Sequence, residues 1–546
     1  MDTFLDRYKY ALVLAGILIV YICNLFVDVM DVDASQYASI SMEMSQNKSF
    51  LHVYHLEHDY LDKPPLLFWL SASSMSLFGI GNVAYKLPSI LLALLGIFST
   101  YKFAQLYYSK KVATYAALML ASSQALFLIT NDLRTDTNLL VFVIFSVWQL
   151  ALFVRNKNWL NFFLGFTGVA LAMMAKGPIG IVTIAFALGT DFLLKKEWKL
   201  IFNWRWLIGL VWVAILLAPM TWGLYTQFDL HPEKTAYGIE SPSGVRFFYW
   251  TQSFGRITGE SDWDNGAGFF FFFHSILWDL QPWVLYFILG LIAVVRIYIK
   301  GGLSAQKEFM TLGGFVLTFL ALSMSKYKLP HYIFVTFPFA AIIAANYLLS
   351  LKKRTMLYVQ AFFNVLFWIV CAIGMIYVFP SGNYFLAILL VLLCAGSWWV
   401  FIKGNSISSR IFFSAAITAI GFNLMMSTHF YPNLIDGYQA PGIAGRLAKE
   451  NGKGEGQFYY FSSHSHSLDF YYNNLVPKVP HNFKNLDQGD WVYTDQVGKE
   501  FVETRDLDFH IAHKIPSYRV TILTMDFIRP ETRGNVVDTM YIFEKD

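Results

Sequence analysis

Apolar positions along this chain gather into long runs separated by short polar breaks. About thirteen of these runs approach the roughly 20 residues that a helix needs to cross a bilayer. They fall at 10–29, 86–107, 112–130, 139–154, 160–175, 179–194, 206–225, 278–299, 309–324, 332–350, 356–379, 384–402 and 411–428. The breaks alternate in kind. Every second one is crowded with basic residues: Arg7 and Lys9, Lys110 and Lys111, Arg155 and Lys157, Lys195 through Arg205, Arg296 through Lys307, Lys352 through Arg354, and Lys403 with Arg410. By the positive-inside rule that side is cytoplasmic. An odd number of spans then puts Met1 inside and the C-terminal tail outside. The pattern predicts an all-α polytopic domain over 1–430, with large external loops at about 30–85 and 226–270.

The first run is full-length and is followed by Asp28, Asp31 and Asp33 rather than a small-residue cleavage site, so it reads as an anchor. After Pro64 and Pro65, residues 66–78 are too short to span. Their serines lie away from Leu66, Leu67, Leu70 and Leu77, which predicts a helix lying in the interface. From about Tyr431 the composition turns soluble. Strands are expected at 458–461, 491–493, 520–525 and 540–543, with a helix at 442–450, giving a small extracytoplasmic α/β domain over 431–546.

Composition agrees with a membrane class: 56% hydrophobic, 14% charged and a mean hydropathy of +0.46. The net charge of +4 carries no nucleic-acid signal, because most basic residues are topology markers. Cys23, Cys371 and Cys394 lie inside runs, which argues against a disulfide framework or a thiolate metal site.

The sparsely charged loops hold the candidate chemistry: Asp31, Asp33, Lys63, Arg134, Asp136, Lys176, Lys326 and Lys328. Each basic residue taken alone reads equally well as a snorkelling side chain. As a group, cations converging beside a bilayer suit a lipid-linked phosphate. Asp33, three residues before Gln36 and Tyr37, is either a solvated helix-end carboxylate or a general base for an acceptor hydroxyl. Asp136 also fits a position favoured by the dipole at a helix start. His52, His55 and His58 with Asp59 have metal-like spacing, but in an exposed loop it reads as a solvated face.

These segments resemble the bacterial membrane glycosyltransferases of the GT-C fold, the group of the lipid A aminoarabinose transferases and the protein O-mannosyltransferases. The resemblance is carried by 31–38 (DVDASQYA), 63–69 (KPPLLFW), Arg134-Thr135-Asp136, 175–180 (AKGPIG), Gln281-Pro282-Trp283 and 325–332 (SKYKLPHY). It covers most of residues 1–350. It implies a polyprenyl-phosphate sugar donor, a lipid or protein acceptor and a site on the outer face of the membrane. Asp33 would be the catalytic carboxylate and Lys63 would hold the lipid phosphate. Arg134, Lys176, Lys326 and Lys328 would share the remaining phosphate charge, with Asp31, Tyr37, Asp136 and Tyr327 as further site residues.

Two departures from the family pattern stand out. Asp33 is followed by Ala34 where an acidic pair is usual, and 262–268 reads DWDNGAG where the aminoarabinose transferases carry a His-Arg-Gly-Pro-like element. Both a divalent metal and aminoarabinose as the sugar therefore stay open. A transporter or flippase shares the polytopic plan, but it tends to carry mid-span charges in two related halves. A ligase using a pyrophosphate carrier is separated only by the family motifs.

Overall fold

The computed structural model describes residues 4–236, 238–255, 264–301, 307–480, 483–505 and 507–546. All thirteen apolar runs are helical over most of their length, and the run at 278–299 is interrupted at 280–283. Among the described residues, nine helices are long and apolar enough to cross a membrane, and ten if one bent pair counts as a single span. That pair is Lys110–Ala121 and Gln124–Asn131, bent by 47°. Ser122 and Ser123 make the break. Their hydroxyls donate back to Leu118 and Leu120 carbonyls, and Ser123 also caps the second helix. The runs at 179–194 and 309–324 form shorter helices, Ile179–Leu194 and Met310–Ser323.

Four helices set up one end of the bundle. Helix α1 (Phe4–Phe26) delivers the chain to a turn, and α2 (Asp33–Asn47) starts immediately after it. Helix α3 (Leu66–Phe78) and helix α4 (Asn82–Tyr107) pack beside them. The end of α1 is fixed by Lys86, which is fully buried. Its ammonium donates to the carbonyls of Asn24 (3.1 Å) and Val27 (2.7 Å) and to Asn131 Oδ1 (3.2 Å). A cation at the C-terminal carbonyls of a helix satisfies orphan acceptors and opposes the negative end of the dipole.

Helix α3 corrects one expectation. Ser71 and Ser74, expected to face water, are buried, and Ser71 donates to the Tyr85 carbonyl at 3.0 Å. Ser73 and Ser76 are exposed, beside Leu77 and Phe78. The serines are divided: Ser71 packs against α4, while Ser73 and Ser76 stay on the open side.

The basic residues of alternate loops meet at the other end of the bundle. Arg155 donates to the Leu106 carbonyl, Lys195 donates to the Lys307 carbonyl, and Lys9 shares one groove with Lys403 and Asn405. The charge alternation read from the sequence is thus a division between two ends of one helical body.

The C-terminal segment carries a four-stranded sheet in the order Phe458–Phe461, Trp491–Thr494, Asp538–Lys545, Phe509–Ser517. The first pair is parallel and the others antiparallel. Helices Ala440–Glu450 and His466–Tyr472 pack together beside it, and their Ala440, Ala444, Ala448 and Leu468 share a core with Phe458, Tyr493 and Ile542. The expected strand at 520–525 is instead a turn in which Ile522, Leu523 and Met525 are exposed. The strand at Phe509–Ser517 was not expected, since Pro516 and two histidines interrupt its pattern. It lies at the sheet edge, where a proline can be accommodated.

Candidate active site

The charged residues of the sparse loops sit at helix ends, and the fold brings those ends together. Asp33 opens α2, and Asp136 lies in the first turn of the helix Thr135–Asn156, each at the positive end of a helix dipole. Arg134 is the residue immediately before that second helix. Lys176 closes Trp159–Lys176, where the dipole favours a cation. The next residue, Gly177, adopts a φ of +82°, which lets Pro178 start another helix at once. Lys63 precedes the two prolines that lead into α3.

These termini enclose a cavity of about 350 Å³ lined by Asp33, Tyr37, Lys63, Arg134, Asp136 and Lys176, with Tyr327 on the facing loop and His331 and Tyr332 in the short 3-10 helix Pro330–Thr336 that follows it. Arg134 is its organising group. It ion-pairs Asp33, and its Nε and Nη2 donate to Asp132 Oδ2 at 3.0 and 2.7 Å. Burial opposes the guanidinium charge, but Asp132 and Asp33 outweigh that and raise its pKa. Lys176 pairs with Asp136 and stands 3.7 Å above the Tyr332 ring, a cation–π contact. Lys63 Nζ is 2.5 Å from Asp62. Tyr37 lies one helical turn beyond Asp33, on the same face. Burial, then the Asp33 charge, hold its hydroxyl protonated.

Exposure separates the carboxylates. The side chain of Asp33 is 42% exposed, against 18% for Asp62, 14% for Asp132 and 1% for Asp136. Of the four ion-paired acids, Asp33 alone is open enough to receive a substrate hydroxyl. Asp264, at the rim, is exposed as well but belongs to a loop.

Three sequence candidates lie elsewhere. Asp31 is half-buried against the C-terminal unit and accepts from Ser467 Oγ at 2.9 Å. Lys326 is exposed and outside the cavity lining. Lys328 is buried, with its ammonium on the Ala267 carbonyl at 2.6 Å and its backbone bonded to Asn265. It pins two loops together, and burial lowers its pKa. Trp283 of the Gln281-Pro282-Trp283 segment is a core residue that donates to Ser122 Oγ.

Asp62, Asp132 and His331 were not singled out from the sequence. Asp62 and Asp132 stand one and two residues from cations that were, and that proximity is the only signal the sequence offers. His52, His55 and His58 do not converge. His52 bonds Thr226, His55 bonds His466 across to the C-terminal unit at 3.1 Å, and His58 is exposed.

Comparison with known proteins now bears on this geometry. A family model described as dolichyl-phosphate-mannose-protein mannosyltransferase matches residues 62–222, a stretch that contains Lys63, Arg134 and Lys176. An undecaprenyl phosphate-alpha-4-amino-4-deoxy-L-arabinose arabinosyl transferase of Edwardsiella ictaluri is 26% identical over 58% of this chain and 54% of its own length. One from Proteus mirabilis is 23% identical over 80% of this chain and 78% of its own. The crystal structure of ArnT from Cupriavidus metallidurans bound to undecaprenyl phosphate superposes with a TM-score of 0.72, covering 98% of this chain and 97% of that one at 16% identity. The chain shares the GT-C fold of that transferase and is similar in sequence to the aminoarabinose transferases.

Among the described residues no three His, Cys, Asp or Glu groups are arranged to hold a metal ion. Asp33, Asp62, Asp132 and Asp136 are each paired with Arg134, Lys63 or Lys176. Residues 262 and 263 of the departing 262–268 stretch lie outside the described residues.

Proposed function

We propose that this glycosyltransferase moves a sugar from a polyprenyl-phosphate donor to a hydroxyl of a lipid or protein acceptor at the outer face of the cytoplasmic membrane. One observation carries the reading: an accessible carboxylate, Asp33, is held by Arg134 within a cavity that also presents Lys63 and Lys176. In the transfer, Asp33 takes the proton of the acceptor hydroxyl as its oxygen attacks the anomeric carbon. The bond from that carbon to the phosphate oxygen breaks, and the phosphate leaves with the electron pair. Lys63, Lys176 and Arg134 stabilise the negative charge that develops on it. Each ammonium already has an acidic neighbour, so a phosphate joins an existing pair rather than meeting a bare cation. The acids thereby fix where the ammonium groups point and reduce how strongly they attract. The names of the similar proteins support the donor class, and the Lys and Arg distribution supports the orientation.

Two measurements test this. Lys63→Ala is expected to weaken binding of a polyprenyl phosphate by about tenfold or more, the scale of one lost charge-assisted contact, while insertion and thermal stability stay near the parent. Unchanged binding would reduce Lys63 to an anchor for its own loop. For orientation, a cysteine at exposed Asn451 should react with an impermeant thiol reagent in intact spheroplasts, and one at exposed Asn405 should not. The reverse pattern would put the cavity on the cytoplasmic side.

A further inference from the structure

The turn between α1 and α2 carries Asp33, and side chains more than 400 residues away in sequence hold it from the C-terminal unit. Gln439 bridges the turn's backbone: its Nε2 donates to the Val29 carbonyl and its Oε1 accepts from the Asp31 amide, both at 2.9 Å. The Tyr471 hydroxyl accepts from the Val29 amide at 2.6 Å and donates to Asn82 Oδ1 at 2.9 Å. Ser467 donates to the Asp31 side chain. Arg446 stacks on the Tyr471 ring at 4.9 Å and ion-pairs Asp28, whose other oxygen accepts from Asn82. Gln439 is 2% exposed, so its two bonds form away from water, where an unmet backbone group is costly.

On the membrane side of the same turn, Lys86 holds the last carbonyls of α1. The turn is thus clamped on both sides, and only Asp33, at its end, projects into the cavity.

We infer that Gln439 and Tyr471 are positioning residues for Asp33, and that the C-terminal unit holds the reacting carboxylate in register. The inference rests on the proposed role of Asp33. Neither side chain lines the cavity, so their effect passes through the backbone of residues 29–31. The phosphate cluster on Lys63, Arg134 and Lys176 is carried by other helix ends, so donor binding should not depend on them.

The test compares Gln439→Leu, Tyr471→Phe and Asp33→Asn, and combines Gln439→Leu with Asp33→Asn, in the full-length protein reconstituted with a polyprenyl-phosphate sugar and native lipid extract. Misplacing a reacting group by about 1 Å costs on the order of 10²-fold in rate, so Gln439→Leu should lower kcat by roughly that factor with donor KM little changed. The double variant should be no slower than Asp33→Asn alone, because the two act as a unit.

Gln439→Glu adds a signature that loss of stability would not produce. When ionised it keeps the acceptor for Asp31 and loses the donor for Val29; when protonated it supplies both. Its kcat relative to the parent should therefore recover as pH falls. If Gln439→Leu fails to fold, Tyr471→Phe carries the test, since it removes a single oxygen and leaves the ring under Arg446.

Parent-like kcat in both Gln439→Leu and Tyr471→Phe, with Asp33→Asn inactive, overturns the inference and leaves the role of Asp33 standing. An active Asp33→Asn overturns that role and the inference with it. A fall in donor affinity equal to the fall in kcat would also overturn the inference, because the clamp would then be shaping the donor site.

Discussion

Asp33→Asn is expected to lower sugar transfer by roughly 10²–10⁴-fold, the usual contribution of a general base. The substitution preserves size and removes the proton acceptor. It should leave the rest of the cavity in place, because Arg134 keeps its two bonds to Asp132 without Asp33. Expression, thermal stability and polyprenyl-phosphate binding should stay near the parent, so the loss should appear in kcat. Asp31→Asn is the matched control. Asparagine retains an oxygen for Ser467, and Asp31 lies on the side of the turn facing the C-terminal unit, so its effect should be far milder. Near-parent transfer by purified Asp33→Asn would remove Asp33 from the mechanism. Equal collapse of both variants with lowered thermal stability would show that the turn, rather than the carboxylate, was what mattered.

The second large effect is expected at Arg134. Arg134→Gln removes the partner of two acids at once. Asp132 is 14% exposed, with one oxygen already lacking a hydrogen bond, so it would be left as an uncompensated, mostly buried charge. Breaking a buried pair from one side costs about 3–5 kcal/mol, and partial exposure places this site toward the lower end. Transfer should fall at least as far as in Asp33→Asn, since Asp33 loses its orientation and the departing phosphate loses a cation. Arg134→Lys should remain impaired, because one ammonium cannot reproduce the guanidinium fork that spans Asp132 and Asp33. The double variant Asp132→Asn/Arg134→Gln separates the two consequences: thermal stability should recover and transfer should not. Recovery of both would assign Arg134 a purely structural role.

The membrane part of the fold was legible because hydrophobic runs and Lys/Arg bias are local properties. A run of about 20 apolar residues can bury its backbone polar groups only as a helix, whatever its neighbours are. The C-terminal segment was harder to read. The residues at 520–525 have strand composition but are a turn, while 509–517, with Pro516, is a strand because an edge position beside Asp538–Lys545 was available to it. Partner availability decided both cases, and it is not written in either segment.

For the site, the sequence by itself determined which charges lie at span ends on the sparsely basic side. Asp33, Arg134 and Lys176 stand out because an ionisable group next to an apolar run is costly and therefore conspicuous. The tertiary structure alone decided how those charges pair. It joined Arg134 to Asp132 as well as Asp33, left Asp33 more open than the other paired acids, turned Lys328 away to tie two loops, and used Asp31 as a contact for the C-terminal unit. The physical reason is one of range. Periodicity and charge bias act over a few helical turns, whereas ion pairing depends on which helix ends the packed bundle brings within about 4 Å of each other.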